Sequence, residues 1–124
     1  NCVDKVILVG NSSDIMSWYT RSSIFAFSSN FEGFPNALIE AMHFGLACIS
    51  TDCPTGPSEI IDNGINGLLV PVGALNEFQN ALKTLIEDAE LRSGLSEKAR
   101  KTGERFQIRE IASQWIELIR EVTP

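Results

Sequence analysis

The sequence predicts an α/β fold, a parallel sheet of about four strands flanked by helices, in one domain covering residues 1–124. Three observations predict it. Short apolar runs recur at residues 6–9, 24–27, 47–50 and 68–70, with the length and β-branched texture of strands buried on both faces. Segments with apolar residues at i, i+3 and i+4 stand between the first three runs, and such alternation builds right-handed βαβ units. From about residue 75 to 122 the pattern is helical throughout.

Taken in order, Val6, Ile7, Leu8 and Val9 run into Gly10 as a first strand closed by a turn. Ser12, Ser13 and Asp14 supply an N-cap signal for a helix over 15–21, whose Ile15, Trp18 and Tyr19 fall on one stripe. Ile24, Phe25, Ala26 and Phe27 make the second strand. Gly33 and Pro35 lead into a helix with Leu38, Ala41, Met42 and Gly45 in line, and Ala47, Cys48, Ile49 and Ser50 make the third strand. The loop 51–57 is punctuated by Pro and Gly, and a short helical turn is expected over 59–62. Asn63-Gly64 and Asn66-Gly67 mark turns ahead of a fourth strand at 68–70. Helices follow over 75–88, 89 to about 103, and 108–122; in the last, Ile108, Ile111, Ala112, Trp115 and Ile119 form an apolar stripe.

Composition narrows the function. With 124 residues, 44% of them apolar, there is room for one core that buries roughly two-thirds of the unfolded surface. Net charge is −6 with no basic stripe, which argues against nucleic acid and anionic membrane as partners. Cys2, Cys48 and Cys53 are odd in number and lack Cys-x-x-Cys spacing or a His cluster, so neither a disulfide framework nor a zinc site is indicated and a reducing, cytoplasmic setting fits. No apolar run approaches the roughly 18 residues of a spanning helix. The N-terminus carries no signal pattern, and the missing initial Met reads as a piece of a longer chain.

The chemistry concentrates in residues 32–40, Glu-Gly-Phe-Pro-Asn-Ala-Leu-Ile-Glu. Pro35 suits the first turn of a helix, and Gly33 lets the backbone turn sharply or meet a ligand closely. Open N–H groups at Asn36, Ala37 and Leu38 would then face an anion, worth about 0.3–1 kcal/mol and up to about 2 when partly buried. A diphosphate is a natural occupant. Glu32 before the helix and Glu40 about a turn and a half into it bracket that position, and carboxylates accept charge-assisted hydrogen bonds from the vicinal diols of ribose and hexose. Leu38, Ala41 and Met42 are also core residues by pattern. Taken alone, Glu40 reads as a solvated helix residue and His43 as a surface or locally bonded group. Glu59 and the loop 54–57 read equally well as pocket lining or as a connector.

The block Glu32 to Met42 resembles the Glu-x7-Glu donor motif of the retaining family 4 glycosyltransferases, which have the glycosyltransferase-B fold. The flanks are similar too: residues 6–10 with Ser13-Asp14-Ile15, Phe27-Ser28-Ser29, Thr51-Asp52 with Pro57-Ser58-Glu59, residues 66–71, and Glu104-Arg105-Phe106. The resemblance implies a Rossmann-like, truncated C-terminal domain that binds a nucleotide diphosphate sugar, most commonly of uridine. It implies that Glu32 is catalytic, binding hydroxyls of the transferred sugar near the anomeric centre, and that Glu40 holds the ribose. Gly33, Phe34, Pro35, Asn36, Ala37 and Leu38 would meet sugar, diphosphate and ribose. No metal or other cofactor is implied. The reaction would move the sugar with retention to a glycan or lipid-linked acceptor, as in cell-surface polysaccharide synthesis, with the parent at the inner face of the membrane.

A missing N-terminal domain would supply the acceptor pocket, and two missing strands a basic pair for the diphosphate, so this chain alone is expected to be inactive and to bind donor weakly. A non-catalytic nucleotide-sugar-binding module, or an epimerase or phosphorylase of the same fold, are the alternatives. In the family's strand order, 3-2-1-4-5-6, the strands here would be numbers 3 to 6, leaving residues 24–27 without their inner neighbours. Either residues 6–9 move in beside them or that edge pairs with another chain. The last helix would cross to the missing domain and leave its apolar face partly bare.

Overall fold

The computed structural model describes residues 3–123, so Cys2 lies outside the described residues. Three strands, β1 (Ile24–Phe27), β2 (Ala47–Asp52) and β3 (Leu68–Pro71), form a parallel sheet in the order β1-β2-β3. Ile24 pairs with Ala47, and Ile49 with Leu68. Helices are α1 (Ile15–Arg21), α2 (Asn36–His43), α3 (Pro57–Ile60), α4 (Leu75–Glu87), α5 (Ala89–Arg105) and α6 (Ile108–Val122). β2 is central and its residues 47–51 are buried, which is why it reads as an unbroken run of apolar and small residues instead of an alternating one.

Each face of the sheet carries its own core. On one face Cys48 packs with Tyr19 of α1, Leu38, Ala41 and Met42 of α2, Ala99 of α5, and Ile60 and Ile61. On the other, Ala47, Ile49 and Val70 pack with Leu85 of α4 and Leu95 of α5. α5 serves both cores and lies close against α2: a Cβ built on Gly103 would stand 2.4 Å from the backbone nitrogen of His43. Asn66, only 4% exposed, is fully used within the fold. Its side chain accepts from the Asp62 N–H and donates to the Ile60 carbonyl and the Thr102 hydroxyl. The adjacent Gly67 passes beneath the Cys48 carbonyl, so the Asn66-Gly67 signature is packing.

Several expectations need correction. Residues 6–9 are not a strand: Val6, Ile7, Leu8 and Val9 are 60, 75, 92 and 42% exposed and lie outside the sheet, which among the described residues has three strands and leaves one edge of β1 unpaired. The run has strand texture but no adjacent strand and covering layer, and strand preference is realised only against such neighbours. Residues 6–9 thus do not move in beside β1. Gly45 does not extend the α2 stripe; at φ +73 it ends the helix. Its N–H donates to Met42 O (2.9 Å) and that of Leu46 to Ala41 O (3.0 Å), a Schellman closure with Leu46 and Ala41 both in the core. The short turn near 59–62 is helix over 57–60 instead, beginning at Pro57. In α1, capped by Asp14 as expected, Tyr19 alone is buried and Ile15 is exposed. α6 buries no residue at all; Ile108, Trp115, Ile119 and Val122 are 84, 61, 55 and 71% exposed.

Candidate functional site

β1 ends at Phe27, and the loop after it carries the chain across the carboxyl end of the sheet to α2. Two hydroxyls, one near the end of β2 and one in the loop beyond it, tie this loop down. Thr51 donates to the Ser29 carbonyl and Thr55 to the Glu32 carbonyl. Thr55 stands at φ +62, unusual for a β-branched residue, and Gly56 follows at φ +104. Gly56 lies against the fully buried Pro35 ring, where an added Cβ would be 2.5 Å from Cδ. A side chain at residue 56 would therefore displace the segment 33–35. The loop 54–57, which the sequence left as either lining or connector, supports the motif through Thr55 and Gly56; Glu59 is exposed on α3.

Pro35 occupies the N-cap position of α2, one residue earlier than the first turn expected for it, at φ −80 and ψ 75. Its carbonyl accepts from the N–H groups of Leu38 (3.0 Å) and Ile39 (3.3 Å), while Phe34 O accepts from Asn36 (2.9 Å). Of the three amides expected to be open, Asn36 and Leu38 are therefore engaged. Ala37 has no protein acceptor among the described residues. Leu38 is fully buried and its side chain belongs to the core. Gly33 and Asn36 are exposed, and Phe34 is half exposed with its ring centroid 6.1 Å from that of Phe106.

The two carboxylates differ in setting. Glu32 is half-buried beside the Thr55 tether, whereas Glu40 is exposed on α2 and borders an open apolar hollow walled by Met16, Ile39, Phe44 and Phe106. One Glu40 oxygen, Oε2, accepts from the hydroxyl of Tyr19 at 3.2 Å, and the same hydroxyl lies 3.4 Å from the Ala37 carbonyl. Burial, then the negative charge of Glu40, push the Tyr19 phenol up to about 12. Sequence reasoning placed Tyr19 only in a packing stripe. The signal was available, since a tyrosine turned into a core must find a partner for its hydroxyl.

His43 is exposed, with its ring edge-on to Phe44. Cys48 is fully buried, and burial pushes its thiol up to about 12, which leaves it unreactive at neutral pH. Cys53 is buried as well. Among the described residues no group of three or more His, Cys, Asp or Glu could hold a metal ion, and no helix is long and apolar enough to cross a membrane.

Residues 1–102 match the family described as glycosyl transferases group 1. The chain is 36% identical over 106 residues to a Campylobacter jejuni N-acetylgalactosamine-N,N'-diacetylbacillosaminyl-diphospho-undecaprenol 4-alpha-N-acetylgalactosaminyltransferase, covering 86% of this chain and 29% of that enzyme. Among solved structures, Anabaena HepE in complex with UDP superposes with a TM-score of 0.84 at 26% identity, covering 92% of this chain and 32% of HepE. The C-terminal domain of the group 1 glycosyl transferase LpcC of Francisella tularensis superposes with a TM-score of 0.72 at 30% identity, over 83% of this chain and 53% of that one. The chain thus has the fold of a glycosyltransferase-B C-terminal domain, and it spans about a third or less of the length of the curated relatives it matches.

Proposed function

Because this chain belongs to the glycosyl transferases group 1 family, we propose that residues 32–40 form the donor half of a retaining glycosyltransferase site. The donor is a nucleotide diphosphate sugar, of uridine by preference. The observation that carries this reading is the tethered turn at residues 32–35, which sets Glu32 and Glu40 about the start of α2, with Ala37 presenting an open N–H. Glu32 takes hydroxyls of the transferred sugar beside the anomeric carbon. Glu40 takes the ribose diol. Gly33, Phe34, Pro35 and Asn36 bound the space between by their backbone, and Leu38 supports it from the core. With Asn36 and Leu38 engaged, the diphosphate meets the Ala37 amide and the positive end of a short helix, so most of its charge is neutralised by groups outside this chain. Weak donor binding and no transfer by these residues alone are therefore the expected outcome.

HepE holding UDP supports the uridine nucleotide, and the diphospho-undecaprenol in the Campylobacter enzyme's name supports a lipid-linked acceptor in polysaccharide assembly. The acceptor pocket then belongs to the longer parent, working in the cytoplasm at the inner membrane face. The unpaired edge of β1 and the exposed residues 6–9 also favour self-association of this chain.

Equilibrium titration with UDP and with UDP-glucose tests the assignment. Glu40→Gln is expected to weaken both ligands by about tenfold, the value of one charge-assisted hydrogen bond. Glu32→Gln should weaken UDP-glucose and leave UDP unchanged. Equal affinity of both variants and the unsubstituted chain for both ligands would remove the two carboxylates from the site.

A further inference from the structure

We propose that Tyr19 is a positioning residue for Glu40, its hydroxyl holding one carboxylate oxygen so that the other faces the ribose diol of the donor. The inference rests on the donor-site reading of Glu40 given above.

Tyr19 is the single tyrosine of the chain and is 6% exposed. Its ring is fixed on two sides, stacked on Phe44 with centroids 5.5 Å apart and edge-on to Phe25 at 6.1 Å. A phenol so held has one place to put its oxygen, at the outer surface of α2 between the Ala37 carbonyl and Glu40 Oε2. The carbonyl alone would satisfy a buried hydroxyl. Here the hydroxyl also reaches a carboxylate that is otherwise free in solvent, and the second oxygen of Glu40 makes no hydrogen bond among the described residues.

An exposed glutamate samples many rotamers, and ordering it on a ligand costs conformational entropy. A contact that orders the side chain before the ligand arrives removes part of that cost from binding. Tyr19 comes from α1 and Glu40 from α2, so the contact also links the end of the motif to an element the motif does not include. Because the phenol is pushed up to about 12, it remains a donor at any pH at which the fold would be used.

The test is an NMR titration of the chain with UDP and with its dideoxyribose counterpart, in three proteins: unsubstituted, Tyr19→Phe and Glu40→Gln. The unsubstituted chain is expected to favour UDP by about tenfold, as one hydrogen bond to a charged group would give. Tyr19→Phe keeps the ring and its stacking, and its amide spectrum should show the same fold. It should nevertheless lose most of the preference for ribose while retaining affinity for the dideoxy ligand. A purely structural hydroxyl would leave that preference intact. If Tyr19→Phe keeps the full preference while Glu40→Gln loses it, Glu40 binds ribose without help from Tyr19 and the inference is overturned. If Glu40→Gln keeps it too, the donor-site reading of Glu40 itself falls and the role of Tyr19 with it.

Discussion

At the scale of single residues, the block from Glu32 to Glu40, proposed above as a donor site, is legible because its members are unusual together: Gly, Pro and two carboxylates at fixed spacing around a helix start. What surrounds them was not legible. Thr51, Thr55 and Gly56 lie some twenty residues away in sequence and reach the motif only because β1 and β2 are neighbours. Tyr19 reaches it from the opposite direction. Its phenol, ordinarily near 10, titrates near 12 in the folded chain, whereas the unfolded chain loses that proton at the ordinary value. The proton is bound more tightly in the folded state, so the associated stability is fully present below pH 10 and is lost as pH rises to about 12. Denaturant melts of the chain and of Tyr19→Phe should therefore converge with rising pH. The gap between them should shrink over that window by about 1 kcal/mol, the worth of one hydrogen bond screened in part by solvent. A constant gap would show that the hydroxyl is not held in the way described.

Elements were read more securely than their ends. Among the described residues, five helices and three strands stand where the sequence placed them, since apolar spacing reports burial directly, while α3 begins two residues earlier than expected. Their ends depend on contacts. α2 stops at His43 because Gly45 takes the left-handed conformation, and the pairing of α2 with α5 depends on the absence of a side chain at Gly103. Gly103→Ala should destabilise the fold by about 2–3 kcal/mol, since the clash is with backbone of α2, which cannot rotate away. Gly94, in the same helix, meets nothing within 4 Å. Gly94→Ala should therefore stabilise by about 0.5–1 kcal/mol through helix preference alone. Thermal melts of the pair check both; similar shifts in the two variants would refute the packing account.

The whole molecule is a three-layer sandwich whose cores are complete without its two ends. Residues 6–9 and α6 contribute apolar surface and no burial. Ending the chain after Gln107 should leave its stability within about 0.5 kcal/mol of the full chain, as removal of uninvolved surface does. It should also reduce binding of a hydrophobic dye, because the stripe of Ile108, Trp115, Ile119 and Val122 is gone. A fall of several degrees in melting temperature would mean that α6 packs on the body of the protein.

By itself the sequence determined the class of fold, the order of helices and three of four expected strands, and it singled out the block from Glu32 to Glu40. All of these are local, carried by spacing within a dozen residues. Only the tertiary structure decided that residues 6–9 stay outside the sheet, because strand pairing is a property of neighbours the run does not contain. It decided that the Pro35 carbonyl occupies the Leu38 amide expected to be open, because a helix start is completed by its own loop. It also brought Tyr19 to Glu40, since a buried hydroxyl takes whatever acceptor the packing of two helices sets within reach.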